Sequence, residues 1–80
     1  MTTEFASAEA VVGIKQSSRA VTEGNASKAY AATDADPDII DPFSRLCEKH
    51  GVELIYVDSM EELGHACGIN VGAAVAVLLK

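Results

Sequence analysis

Residues 73–79, AAVAVLL, constrain the fold most, because a strand formed by them carries apolar side chains on both faces. Such a strand belongs at the centre of a sheet that helices cover on each side. The longest apolar run, Val71 to Leu79, is far shorter than the roughly 20 residues needed to cross a bilayer. The run therefore predicts a central strand of a soluble protein and no membrane span.

Two further runs predict strands, residues 28–33 (KAYAAT) and residues 53–58 (ELIYVD). Residues 10–12 predict a short edge strand that follows an N-terminal helical turn. The segments between these runs have helical periodicity. Helices and strands of this length in alternation predict an α/β fold, a three-layer α/β/α sandwich.

The ends of the helices are marked by capping residues. Gly13 opens a helix from Ile14 to about Glu23. Asp36 and Pro37 are an N-cap and a first helical residue, and that helix ends at Gly51. A capping box of Ser59 and Glu62 begins a shorter helix that ends at Gly68. The side chains predicted to point inward are Ile14, Ser17 or Ser18, Val21, Ile39, Ile40, Phe43, Leu46, Cys47, Met60, Leu63 and Cys67.

The 80 residues allow one compact core, so a single domain over residues 1–80 is expected. The start, MTTEFASAEA, lacks the pattern of a signal peptide, and two cysteines give no disulfide framework. A cytosolic protein with free thiols is the expectation. The net charge of −6 argues against non-specific coating of nucleic acid, which needs a basic surface. It leaves room for a small local binding site.

Three alternating aspartates, Asp34, Asp36 and Asp38, follow a predicted strand and could ligate magnesium through oxygen. The structural interpretation is stronger. Asp36 caps a helix, and Asp38 favours the positive N-terminus of that helix. No further phosphotransfer motif accompanies the cluster, so we expect no metal here.

A zinc site of two cysteines and two histidines is the second metal hypothesis, because Cys47 and His50 are three residues apart and His65 and Cys67 are two apart. The usual pair of closely spaced cysteines is absent. Cys47 also belongs to the apolar stripe of its helix, where a free cysteine behaves as a small hydrophobic residue. Neither thiol has an orienting base in the sequence, so nucleophilic catalysis is not expected.

The stretch GIKQSSRAV, residues 13–21, sets Lys15 and Arg19 one helical turn apart near a helix start. Positive charge there opposes the helix macrodipole and costs some stability. A solvated surface helix is one interpretation. The other is a binding site, because long donors projecting from a helix start suit the edges of nucleic-acid bases.

The stretch LGHACGINVGAAV, residues 63–75, has no formal charge and no Gly-Lys-Ser/Thr, so it is not a phosphate-binding loop. Gly68 ends a helix, and Gly72 permits a close backbone approach before the last strand. Ile69 and Val71 then flank the loop with apolar side chains at an expected surface.

The order VVGIKQSSRAV, TDADPD and YVDSMEELGHACGINVGAA resembles the kink-turn RNA-binding family of ribosomal proteins, that of the archaeal large-subunit protein seven-Ae. It resembles in particular the small bacterial members of the YbxF type, and the likeness runs from about residue 8 to the C-terminus. The resemblance implies an α/β/α sandwich around a small mixed four-stranded sheet.

For function, the resemblance implies a non-catalytic module that recognises a kinked RNA helix with tandem sheared G·A pairs and an extruded base. Contact with splayed, unstacked bases is how proteins commonly read RNA. The implied partners are structured RNA, ribosomal RNA or the ribosome, with no cofactor or metal, and the chain is expected to be a monomer. The implied RNA-binding residues are Gly13, Ile14, Lys15, Gln16, Arg19, Asp36, His65, Ile69, Val71 and Gly72.

The chain also departs from that family around the uncharged loop. Where relatives carry lysine or arginine, it has Asp58, Met60, Glu61, Glu62 and His65. Each missing phosphate contact lowers affinity for RNA and its dependence on salt. An acidic protein-interaction module on the same fold is therefore the alternative to RNA binding.

Overall fold

The computed structural model describes residues 10–66, 68 and 72–80. The described elements are β1 (Ala10–Val12), α1 (Ile14–Thr22), β2 (Ala26–Ala32), α2 (Pro37–Lys49), β3 (Glu53–Val57), α3 (Met60–Ala66) and β4 (Val75–Leu79). The predicted N-terminal helical turn and the inward position of Cys67 lie outside the described residues.

The strands form one mixed sheet in the order β1-β4-β2-β3. β4 pairs antiparallel with both β1 and β2, while β2 and β3 are parallel. Parallel neighbours need a long crossover connection, and α2 provides it. Val75 to Leu78 are all buried, so the prediction that the apolar run is a central strand is confirmed.

The helices cover both faces of this sheet. α1 and α2 pack against each other and against the sheet, and α3 packs on β2, β3 and β4 on the other side. The predicted three-layer α/β/α sandwich is therefore confirmed. No helix in the described ranges combines the length and apolarity required to cross a membrane.

The predicted helix caps on α2 and α3 are also present. Asp36 Oδ1 accepts a hydrogen bond from the Asp38 N–H (2.9 Å). Ser59 Oγ accepts one from the Glu62 N–H (3.1 Å). The strand boundaries differ from the predicted ones by one or two residues. β4 begins at Val75 rather than Ala73, because the Ala73 N–H donates to the Met60 carbonyl (3.0 Å) instead of a neighbouring strand.

The prediction that Ile14 points inward is wrong, because 38% of this residue is exposed. The buried stripe of α1 consists of Ser17, Ala20 and Val21. α1 starts where the sheet ends, since the preceding Gly13 N–H bonds to the carbonyl of the first β4 residue (3.1 Å). Helical side chains tilt toward the N-terminus, so Ile14 projects beyond the sheet.

Cys47 lies buried on α2, and this burial raises the pKa of its thiol. The folded state thus keeps the thiol neutral at pH values where the unfolded chain ionises it. The contribution of the neutral buried thiol to the free energy of unfolding is therefore full below the ordinary thiol pKa. It is lost as the pH rises through the raised pKa. We expect the free energy of unfolding, measured by urea titration, to fall between about pH 7 and about pH 9.5. The fall should be less steep in Cys47→Ala. An identical pH slope in both proteins would contradict this assignment.

Candidate nucleic-acid interface

Several segments that carry candidate residues meet at one end of the sheet. The Gly13 N–H bonds to the Val75 carbonyl (3.1 Å), which fixes the start of α1 to the start of β4. The Ala32 N–H bonds to the Ala74 carbonyl (2.9 Å), which fixes the end of β2 beside the same segment. The topology therefore places the start of α1, the start of β4 and the loops after β2 and β3 on one surface.

The loops after β2 and β3 are also joined to each other by side chains. Thr33 Oγ1 donates to the Asp58 carbonyl (3.0 Å). Asp34 Oδ1 accepts from the Met60 N–H (2.8 Å), so it caps α3 from a distant part of the sequence. In the sequence, Asp34 is a candidate only for metal ligation, and Thr33 is not a candidate site residue. No local pattern could have shown these contacts, because each partner lies more than twenty residues away.

Two substitutions at Asp34 separate the contribution of this hydrogen bond to stability from the contribution of the charge. Asp34→Ala leaves the Met60 N–H without its acceptor, and we expect a loss of about 1 kcal/mol in the free energy of unfolding. Asp34→Asn keeps an oxygen at the same position and removes the same charge, so it should retain most of that stability. Urea unfolding of the two variants gives the comparison. Equal losses would mean that charge, not the hydrogen bond, is responsible.

Among the described residues, no side chain caps the start of α1. Gly13, the N-cap residue, has φ 98° and ψ 153°, a conformation open only to glycine. The Ser17 N–H makes the first intrahelical bond, to the Gly13 carbonyl (2.9 Å). The N–H groups of the three residues before Ser17 therefore lack intrahelical acceptors and are directed out of the helix end.

Long donors surround this open helix end. Lys15, Gln16 and Arg19 are exposed and line one shallow surface depression. Arg19 Nε lies 3.7 Å from Glu23 Oε2, with both side chains mostly exposed. Such a surface ion pair contributes at most about 1 kcal/mol. The guanidinium is therefore available to another anion.

The charge at the start of α1 differs from that of the other described helices. The first turn of α2 contains Asp38, and that of α3 contains Glu61 and Glu62. The first turn of α1 contains no acidic residue and carries Lys15. A cation at a helix N-terminus is destabilising, so folding does not account for this lysine.

The arrangement predicts opposite effects of Lys15→Glu on stability and on binding. A carboxylate near the α1 start should stabilise the helix by about 0.3–1 kcal/mol at low ionic strength. The same change should remove affinity for a polyanion. Thermal unfolding at low and at high salt measures the first effect, which should shrink as salt screens it. A destabilised Lys15→Glu protein would show that Lys15 has a structural role.

The other predicted site residues that the structure describes are Asp36, His65 and Gly72. Asp36 is exposed and engaged as the cap of α2, and His65 is exposed in the last turn of α3. At Gly72, a Cβ atom would lie 3.0 Å from Met60 Cβ, so the predicted close backbone approach is confirmed. Ile69 and Val71 lie outside the described residues.

The two metal hypotheses find no geometric support in the described part of the chain. The carboxylates of Asp34 and Asp36 bind backbone N–H groups. Cys47 is buried in the core while His50 is exposed, and Cys67 lies outside the described residues. Within residues 10–66, 68 and 72–80, no three His, Cys, Asp or Glu residues are grouped to hold a metal ion.

The model of the Ribosomal protein L7Ae/L30e/S12e/Gadd45 family matches residues 5–80 of this chain. The chain belongs to this family. The matched residues include β1 and β2, the two strands that pair with β4, and the whole candidate interface. The resemblance inferred from the sequence motifs is therefore confirmed.

Similar bacterial proteins support the same family membership. The chain is 43% identical over 70 residues to RNA-binding protein YbxF of Geobacillus stearothermophilus, covering 88% of this chain and 85% of that protein. It is 46% identical over 70 residues to an RNA-binding protein of Geobacillus sp. (strain WCH70), with the same coverage.

A solved structure, the Giardia lamblia 15.5kD RNA binding protein, has the same fold with a TM-score of 0.85 and 31% sequence identity. The superposition covers 96% of this chain and 64% of the Giardia chain. The chain thus spans less than two thirds of that protein, and the part that superposes has the same fold.

Proposed function

We propose that this protein is a non-catalytic RNA-binding protein that recognises and stabilises kink-turn RNA, meaning a kinked helix with tandem sheared G·A pairs and an extruded base. The observation that carries the proposal is the start of α1. No described side chain caps it, its first turn has no acidic residue, and it presents Lys15 and Gln16 to solvent. The names of the similar bacterial proteins and of the Giardia structure agree with an RNA partner.

In this proposal the α1 start reads the sheared G·A pairs. Gly13 has no side chain, so the RNA can approach the free N–H groups of the helix end closely. Lys15 and Gln16 donate to guanine edges, and Arg19, one turn further on, reaches a nearby phosphate. Lysine and arginine to guanine O6 and N7 are common specific contacts, worth about 1–3 kcal/mol each when bidentate. Ile14, exposed beside them, adds an apolar contact.

The extruded base is proposed to lie against the loop before β4. Ile69 and Val71 are proposed as its apolar contacts, and the neighbouring Gly72 lies close to Met60. Asp36 and His65 complete the rim as polar neighbours of the unpaired nucleotide. Base contacts of this kind carry selectivity without a large basic surface.

We further propose that the chain acts as a monomeric single domain in the cytoplasm, in association with the ribosome and without a cofactor. Sedimentation of the tagged protein through a sucrose gradient tests this association. Co-migration with ribosomal particles that is lost in Lys15→Ala with Arg19→Ala supports it. Migration only with free protein contradicts the ribosomal role but not RNA binding itself.

The second candidate function is an acidic protein-interaction module. The observation favouring it is the set of exposed acidic residues beside the proposed RNA surface, at the starts of α2 and α3: Asp34, Asp36, Asp38, Asp58, Glu61 and Glu62. A protein partner held by these residues would not need Lys15 or Arg19. The two functions therefore differ in the charges that binding requires: the acidic residues for a protein partner, and Lys15 and Arg19 for RNA.

The stabilising role is tested with a kink-turn RNA labelled on its two helical arms with a fluorescent donor and acceptor. Protein added without magnesium should raise the energy transfer, because the bound RNA is held in its kinked form. An RNA with Watson–Crick pairs in place of the G·A pairs is the matched control. Binding without a rise in transfer would contradict the stabilising role, and no binding would favour the acidic module.

A further inference from the structure

β3 has one edge that no described strand covers, since it is the outermost strand of the sheet. The Thr33 N–H donates to the Val57 carbonyl (2.9 Å), so the main chain of Val57 faces β2. Residues alternate in the direction of their main-chain groups, so Leu54 and Tyr56 direct theirs to the outer side. Within the described residues, no main-chain group pairs with them there. An edge of this kind is a template for another strand.

The side chains along this edge have a distinctive chemistry. Tyr56 is 52% exposed, an unusual exposure for a large ring. Together with Val57, Asp58 and Glu62 it lines a shallow depression of about 280 Å³. The stretch from residue 51 to residue 64 contains four acidic residues and no lysine or arginine, so β3 and the segment that follows it carry only negative formal charge. An aromatic face beside carboxylates is a site for a cationic side chain.

We propose that the outer edge of β3 binds an extended, basic peptide segment of a protein partner by strand addition. The peptide backbone pairs with Leu54 and Tyr56. One of its lysine or arginine side chains lies over the Tyr56 ring and between the carboxylates of Asp58 and Glu62. Main-chain hydrogen bonds supply affinity in this binding mode, and the alternate side chains supply specificity.

The charge pattern selects this occupant over a second copy of the chain or an RNA. Antiparallel pairing of two β3 edges through Leu54 and Tyr56 would set Glu53 of each copy near Asp58 of the other, and like charges across strands are destabilising. The same carboxylates repel a phosphate backbone. The edge also lies three strands away from β1, which leads into α1, or about 14 Å across the sheet. The proposal thus goes beyond RNA binding and does not rest on it.

The test uses the full chain without RNA and a short fluorescent peptide that alternates lysine with threonine. Two control peptides accompany it, one with glutamate in place of lysine and one with alternate backbone nitrogens methylated. The lysine peptide should bind, and both controls should bind at least about tenfold more weakly. In amide NMR spectra, the peptide should shift and protect the outward N–H groups of Leu54 and Tyr56, but leave Lys15 and Gln16 unchanged.

Two pairs of variants separate the backbone contribution from the charge. Tyr56→Pro removes the ring and the outward N–H, while Tyr56→Thr removes only the ring, so the proline variant should bind the peptide more weakly. Asp58→Asn with Glu62→Gln should weaken binding about tenfold. The charge-matched control, Asp41→Asn with Glu48→Gln on the exposed side of α2, should leave it within about twofold.

Three results would overturn the proposal. Equal binding of the N-methylated peptide would mean that no strand is added. Equal weakening by the two charge-matched pairs would mean that only the overall charge attracts the peptide. Peptide-induced shifts at α1 instead of β3 would show that the peptide binds a different surface from the β3 edge.

Discussion

Replacing Lys15 and Arg19 together with alanine is expected to weaken binding of kink-turn RNA at least about a hundredfold. Lys15 is assigned about 1–3 kcal/mol as a base contact, and Arg19 about 1.5–3 kcal/mol as a hydrogen bond to a charged phosphate. A combined loss of about 2.8 kcal/mol already corresponds to a hundredfold. The midpoint of thermal unfolding should hardly change, because both side chains are exposed and the Arg19–Glu23 pair is a surface one. Fluorescence anisotropy and circular dichroism on the same sample measure the two quantities.

The chain offers a close control for this double change. Arg45 and Lys49 have the same spacing on the exposed side of α2. Their replacement by alanine removes two positive charges as well, so either pair takes the formal net charge from −6 to −8. Long-range repulsion of RNA therefore increases equally in both variants. Equal losses of affinity would place the effect in overall charge and contradict the assignment of the α1 start.

The second large effect is expected for Gly13→Ala, which should reduce both stability and RNA affinity. The backbone angles of Gly13 are essentially restricted to glycine, and strain of this kind costs about 1–3 kcal/mol. A Cβ atom there would meet nothing within 4 Å, so the cost is backbone strain and not a clash. Relief of the strain shifts the helix start that we propose to face the RNA, and we expect at least about tenfold weaker binding.

Gly24→Ala is the control at the other end of α1. Gly24 has φ 77° and open space around its Cβ position, so the substitution strains the backbone in a similar way. It lies away from the proposed RNA surface, and the RNA affinity should stay within about twofold. The ratio of affinity loss to stability loss distinguishes the two glycines. A similar ratio in both would reduce the Gly13 effect to general destabilisation.

Elements defined by local patterns were predictable from the sequence. The double-sided apolar run is the central strand β4, and the caps at Asp36 and Ser59 start the helices that they predict. Pro42 lies inside α2, against local propensity. The helix continues past it because the ring is exposed while Phe43 and Cys47 on the far side are buried in the core.

Features that depend on the end of the sheet were not predictable in this way. Periodicity assigned Ile14 to the core, but the sheet stops before it and leaves it exposed. The bond from the Met60 N–H to Asp34 joins two loops that are adjacent only after β2 and β3 have paired. For the candidate interface, the sequence indicated the donors on α1. The structure adds that the N-terminus of α1 adjoins β4 and that no side chain in the described part of the protein caps it.

The central claim is that a small set of base contacts binds kink-turn RNA despite the acidic surface. The most direct measurement is a titration of the protein against labelled kink-turn RNA and against a control with Watson–Crick pairs in place of the G·A pairs, at two salt concentrations. We expect selective binding of the kink-turn. With Lys15 and Arg19 as the cationic contacts, the logarithmic salt slope should be no steeper than about −2. Equal affinity for both RNAs, or binding to neither, would contradict it.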